Sequence, residues 1–207
     1  MKRRGTFLIW TGLLLLAAAL GLAGYNAYEA RHADKAAAQV LEELLPAVPS
    51  PVPSTAPTES APSEVEYPDY VLDPGRDMPV LTVDGADYIG VLSVPELGLE
   101  LPIQSEWDYD KLRNTPCRYI GTAYQSDFVI AAHNYTRHFG RLHELSLGST
   151  VEFTDMDGNL FCYEVREITT LSPTSIEEMK ESGYDLTLFT CTVGGRSRIT
   201  VRCEKTA

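Results

Sequence analysis

Hydrophobic and polar positions along the chain fall into four successive textures. From Phe7 to Gly24 the sequence FLIWTGLLLLAAALGLAG is apolar almost throughout. About 20 such residues at 1.5 Å rise cross a hydrocarbon core of ~30 Å. Residues 25–45, YNAYEARHADKAAAQVLEELL, mix Ala, Glu and Leu. They predict a helix continuing out of the apolar run until Pro46 stops it. Then prolines recur every few residues among Ser, Thr, Ala and Glu, up to about residue 77. That composition buries no core and predicts an extended, partly polyproline II spacer. At ~3 Å per residue it would hold a domain tens of Å away.

From Met78 onward the pattern changes to short β-branched or aromatic runs. PVLTV, YIGVLSVP, LELPIQ, FVIAAH, TVEFTD, LFCYEVREITTL, LTLFTC and RITVRC are separated by DGAD, PELG, DMDGN and VGG. About eight strands at such spacing predict a small closed β-barrel or a sandwich. TDMDGNLFCYEV reads as a hairpin with Asp157-Gly158 at its turn. SEWDYDKLRN and RLHEL predict a helical turn or two. SPTSIEEMKESG predicts a short helix with Ser or Thr at its start and Gly after it.

Composition narrows the function. A length of 207 residues gives room for one ordinary domain plus appendages. The net charge of −12 argues against nucleic acid as a partner, because phosphate binding needs a basic footprint. Lys2, Arg3 and Arg4 precede the apolar run, which predicts a cytoplasmic N-terminus and an exported remainder. LAG at residues 22–24 also fits the cleavage site of a signal peptide, and the length of the run favours an anchor that stays.

Candidate chemistry rests on few residues. His133, His138 and His143 are spaced by five, which suits neither one helix face nor one strand face, so a zinc site from these three is disfavoured. His133 stands apart, at the end of a buried-looking strand and the start of a loop; a histidine there is commonly structural. The four cysteines show no CxxC pair. Cys162 and Cys203 read as core positions, because free cysteine packs as a small hydrophobe. Cys117, beside Pro116, is open to a structural or a paired role. Cys191 ends the strand LTLFTC. The tight VGGRS connection returns the chain so that Arg198 comes back toward that thiol. Ile199, Val201 and Cys203 fall on one face of the following strand, and Arg198, Thr200 and Arg202 on the other. Such arginines are commonly just solvated, but Arg198 is placed to be a fixed two-pronged donor. Glu177, Glu178 and Glu181 read as a solvated helix face, with weak calcium binding as the other reading.

LTLFTC followed by SRITV resembles the TLxTC signature of the sortase family with its arginine on the next strand. YIGVLSVPELGLELPI resembles the opening strands of sortases, and VIAAHNYTRHFGRLHEL the segment bearing the sortase histidine. The likeness spans roughly residues 80–205 in the order His, Cys, Arg. It implies an all-β, eight-stranded sortase-type barrel with short helices, after an N-terminal transmembrane helix and Pro-rich linker. The boundaries expected are 1–28 for the basic residues and anchor, 29–45 for a juxtamembrane helix, 46–77 for the spacer and 78–207 for the catalytic domain. The resemblance also implies a cysteine transpeptidase that cuts an LPxTG-like motif in a secreted protein. Through a thioester it passes that protein to an amine of peptidoglycan precursor or pilin. Cys191 would be the nucleophile, His133 the general acid/base and Arg198 the oxyanion or substrate stabiliser, with no cofactor. The Ala-Ala before His133 departs from the glycine of many sortases. The segment before LTLFTC lacks the long helical insertion of class B, although HNYTRHFG has a class B flavour, so the subclass stays open, with a class D-like or unclassed enzyme favoured over a class B-flavoured one. DPG at residues 73–75 resembles faintly the lid of pilin-type enzymes, and an ordinary turn fits it better. An L,D-transpeptidase would carry histidine just before its cysteine, and TLFTC has none. An inactive wall-binding scaffold would have lost one of the three residues.

Overall fold

The computed structural model describes residues 2–49 and 67–206. Among these residues nine strands form one sheet. They are β1 (Leu81–Val83), β2 (Ala86–Val94), β3 (Leu99–Gln104), β4 (Cys117–Ile120), β5 (Phe128–Ala131), β6 (Thr150–Asp155), β7 (Leu160–Leu171), β8 (Leu186–Cys191) and β9 (Arg198–Lys205). Their order is β1-β2-β3-β4-β5-β8-β9-β7-β6, and β6 pairs back onto β2. Strands β2 to β9 therefore close an eight-stranded barrel, and β1 is an added hairpin arm.

Alternation builds the interior. Leu92 and Val94 of β2, Leu101 and Ile103 of β3, Phe161, Tyr163 and Val165 of β7, and Val201 and Cys203 of β9 all enter one core cluster. Strand β5 is buried on both faces, which accounts for its unbroken FVIA. Its second face packs against Leu171 and Met179, the latter from helix α3 (Ile176–Lys180). The strand count matches the expectation, but the members differ. PVLTV lies outside the barrel, and the unanticipated β4 lies inside it. Strand β4 is only four residues, wedged between Pro116 and Gly121, so no alternation announces it.

Gly90 marks the closure point. It faces Ile103 of β3 on one side and Asp155 of β6 on the other, beside an irregularity between Tyr88 and Gly90. Its φ is +154°, and a Cβ there would lie 2.1 Å from the Thr154 carbonyl oxygen. The expected β6–β7 hairpin forms, and Asp155 organises its turn. One carboxylate oxygen accepts the N–H groups of Asp157 and Asn159 at 3.0 and 2.8 Å. The other accepts the Tyr124 hydroxyl at 2.8 Å.

The N-terminal helix α1 runs unbroken from Lys2 to Leu44. It is long and apolar enough to cross a membrane, and so is a candidate anchor. Its distal part docks on the barrel. Ala33, Ala37, Val40 and Leu44 are buried, a stripe at helical spacing. Val40 and Leu44 pack with Val83 and Tyr88 of the β1–β2 arm.

Much of the expected spacer lies outside the described residues, and the parts on either side of 50–66 both touch the β6–β7 turn. Gly158 has the Pro49 carbonyl against it, and Arg76 reaches Asp157 at 3.8 Å. A four-residue helix α2 (Asp69–Leu72) sets Tyr70 flat on Tyr124, with ring centroids 4.9 Å apart. Residues 73–75 form a turn, with Gly75 N–H donating to the Asp73 carboxylate at 3.2 Å. Contact with the distal part of α1 also helps set where the barrel sits.

Gly90→Ala should destabilise the barrel by roughly 3 kcal/mol or more, combining backbone strain with a clash against fixed backbone. Chemical denaturation of the variant checks this; a loss below about 1 kcal/mol would contradict the closure argument.

Candidate active site

Three strand ends meet at one rim of the barrel. Strands β5 and β8 pair in parallel, Phe128 facing Leu186 and Ala131 facing Phe189. The last rung is closed by Ala132 N–H, which donates to the Phe189 carbonyl at 3.2 Å. The buried Thr190 hydroxyl donates to the Ala132 carbonyl at 2.8 Å. Two residues beyond Ala131 is His133, and two beyond Phe189 is Cys191. Strand β9 then returns antiparallel, with Arg198 directly opposite Cys191. Register pairs Cys191 with Arg198, and β5 delivers His133 to the same rim two residues past its last rung.

The hairpin after Cys191 is held by Thr192. Its N–H donates to the Ser197 carbonyl at 3.0 Å, and its hydroxyl accepts the Ser197 N–H at 3.1 Å. Gly194 and Gly195 take φ values of +82° and +71°, which this short return requires. Arg198 Nη1 donates to the carbonyls of Gly195 and Ser197, both at 3.2 Å. These bonds hold the guanidinium beside the thiol's strand end. The His133 ring lies between Tyr135, 5.0 Å away, and Tyr109, 6.4 Å away. Its Nε2 is buried and has no protein partner. Burial first, and the Arg113 guanidinium second, lower its pKa, while Glu29 opposes them. The imidazole is therefore held toward its neutral form.

All three residues line a groove of about 230 Å³. Its walls are mainly apolar and aromatic: Trp107, Tyr109, Tyr119, Ile176, Met179 and Phe189. Sequence reading missed these wall residues. Two aromatics two residues apart in the otherwise polar SEWDYD are the local signal for this wall, and both are exposed in the structure. A thiol, an imidazole and a fixed cation at the mouth of such a groove suit acyl transfer from a bound peptide.

A model of the Sortase domain matches residues 92–206, more than half of the chain. The chain belongs to the sortase family. No curated protein matches its sequence. Solved sortases share the fold. The Clostridium perfringens sortase D5 transpeptidase is 24% identical, with TM-score 0.52 over 58% of this chain and 80% of its own. Sortase C of Streptococcus pneumoniae is 24% identical, with TM-score 0.54 over 61% and 72%. A pilus-related sortase C of group B Streptococcus is 26% identical, with TM-score 0.53 over 61% and 70%. Family membership supports a cysteine transpeptidase in general.

The remaining cysteines of this sortase divide by position. All four cysteines are free thiols. Cys117 and Cys203 are buried, and desolvation pushes each thiol up to about 12. Cys162 corrects its expected core placement. Phe161, Tyr163 and Val165 take the inward face of β7, so Cys162 falls on the other face and is half-buried. Arg202 is not simply solvated. Its side chain is 13% exposed, pairs with Glu167 at 3.1 Å and donates to the Glu178 carbonyl at 2.9 Å. Of the Ser and Thr expected at the start of α3, Ser175 takes the cap position but makes no side-chain bond to the helix backbone, and its hydroxyl donates to the Glu178 carboxylate at 3.2 Å. Among the described residues, no group of three His, Cys, Asp or Glu side chains is placed to hold a metal.

His138 is the unexpected member of this region. It is fully buried, and neither ring nitrogen has a partner. Its ring lies 5.6 Å from that of Tyr135, which in turn stands against His133. Burial, and secondarily the nearby His133, push its pKa down to about 4. An unfolded histidine takes up a proton below about 6.5, so the folded state resists protonation over the interval between. Stability should be fully present above pH 6.5 and fall as pH drops toward 4, by roughly 3 kcal/mol from this residue. Denaturation of the full chain at pH 7 and pH 4.5 checks this. His138→Phe should flatten the acid-side loss, and an equally steep loss in the variant would refute it.

Proposed function

We propose that this chain is a membrane-anchored sortase transpeptidase. It cleaves an LPxTG-like sorting motif of an exported protein and passes the acyl group to an amine of the cell wall or a pilin. The apolar run of α1 would span the membrane with the basic N-terminus cytoplasmic and the barrel outside. The observation that carries the reading is the meeting of His133, Cys191 and Arg198 at the ends of neighbouring strands, all three lining one aromatic groove.

In this reading neutral His133 takes the thiol proton, and Cys191 Sγ attacks the scissile carbonyl carbon. The oxyanion that forms faces Arg198, whose charge is fixed at any working pH. His133, now imidazolium, gives its proton to the leaving amine as the C–N bond breaks, leaving a thioester on Cys191. An incoming amine then attacks the thioester and the C–S bond breaks. The apolar walls suit the leucine and proline of such a motif. They would bury them beside a small number of oriented polar groups, the usual plan of a peptide-binding cleft.

Incubation with a library of sorting-type peptides followed by intact-mass analysis should show one acyl adduct on Cys191. Cys191→Ala should abolish it. Cys203→Ala should retain it while lowering stability by roughly 1–2 kcal/mol through lost packing. No adduct with any peptide, or an adduct that persists in Cys191→Ala, would refute the reading.

A further inference from the structure

His133 lines two clefts, the aromatic groove and a second one of about 650 Å³. Both clefts share His133 and Tyr109. The second cleft is more polar than the groove, with polar and apolar surface in similar share, and one wall is α1, from Tyr25 to Ala30. The tip of the β8–β9 hairpin, Val193-Gly194, closes a further side.

Two charges of opposite sign line this cleft, Glu29 from α1 and Arg113. They form no ion pair with each other among the described residues. Among the described residues Arg113 makes one ion pair, with Asp110 at 3.9 Å and with both side chains largely in solvent. Both act on His133, the guanidinium disfavouring the imidazolium and the carboxylate favouring it. A bare ammonium entering here would meet Glu29 favourably and Arg113 unfavourably. An ammonium with a carboxylate close by satisfies both.

We propose that this second cleft receives the acceptor, and that the acceptor is a zwitterionic amino-acid end whose ammonium is held by Glu29 and whose carboxylate is held by Arg113. The inference rests on the transpeptidase reading and assigns its nucleophile site. α1 is then part of the site as well as a tether. The transfer step balances as follows. The bound ammonium releases one proton to solvent and becomes an amine. Its nitrogen bonds to the thioester carbonyl carbon and the C–S bond breaks. The second nitrogen proton passes through His133 to Cys191 Sγ, restoring the thiol.

The test uses the full chain in detergent micelles, with the thioester formed from a sorting-type peptide. Lysine and 1,5-diaminopentane, the same chain without its carboxylate, compete with water for that thioester. The reading is the ratio of aminolysis to hydrolysis, corrected for each amine's reaction with a free thioester. This ratio does not depend on how fast the thioester forms. The wild-type chain should favour lysine, reacting at its α-nitrogen, by about tenfold or more. Arg113→Gln should erase that preference, and Glu29→Gln should lower transfer to both amines about tenfold. A thioester that forms but shows no preference in the wild type overturns this inference alone, even where a variant does not fold. So do ratios unchanged by both substitutions. Failure of any peptide to form a thioester overturns the transpeptidase reading, and this inference with it.

Discussion

The parallel pairing of β5 with β8 is the constraint on which the site depends. An antiparallel pair would send the two strand ends to opposite rims of the barrel. A parallel pair sends both to the same rim, and the register then decides which residues emerge together. Here that register runs from Phe128–Leu186 to Ala131–Phe189, and the Thr190 hydroxyl extends it beyond the last rung. Parallel pairing needs a long crossover. β6, β7 and α3 fill that crossover, close the barrel against β2 and cover the second face of β5. Closure of the fold and assembly of the site are thus parts of one topological requirement.

Position, more than residue type, separates accessible groups from sealed ones. Cys203 sits on the barrel's inner face, where desolvation holds the thiol protonated. Cys191 stands where its strand stops, half-buried, with an open groove before it and Arg198 across the ladder. The histidines divide the same way. His138 is sealed in the interior, neutral to about pH 4, while His133 is perturbed by burial yet borders two clefts. A neutral imidazole at an open rim can accept a proton at ordinary pH, and one sealed inside can only resist charging.

Much of the barrel was legible because alternation is a strong signal wherever one face is buried. β6, β7 and β9 announce themselves this way. Strand β4 does not, since four residues between a proline and a glycine carry too little pattern. The same alternation, counted from Phe161 rather than from Cys162, would have put that cysteine on the outer face. For the site, TLFTC and the returning arginine were visible locally because a short hairpin joins them. The link from His133 to Cys191 was not, because residues 58 apart are joined only by strand pairing. Resemblance to a family supplied it, and the ladder gives its physical basis. The aromatic walls of the groove come from segments distant in sequence, and no local pattern marks them as neighbours.

The docking of α1 was hidden for another reason. Ala33, Ala37, Val40 and Leu44 form a narrow stripe within a helix whose alanines are dispersed on several faces. Small side chains at Ala33 and Ala37 let the helix approach closely, and burial of Val40 and Leu44 contributes roughly 1.5–3 kcal/mol each. The ion pair between Arg137 and Asp34, at 3.9 Å and largely in solvent, adds little. The seam is therefore held by apolar contact and should be insensitive to salt. Glu29 lies only five residues beyond Gly24, a rise of about 7.5 Å along an unbroken helix. With the apolar run in a bilayer, a barrel fixed to that helix cannot swing outward on a tether. It would present the cleft beside His133 close to the membrane surface, so substrates would have to approach along that surface.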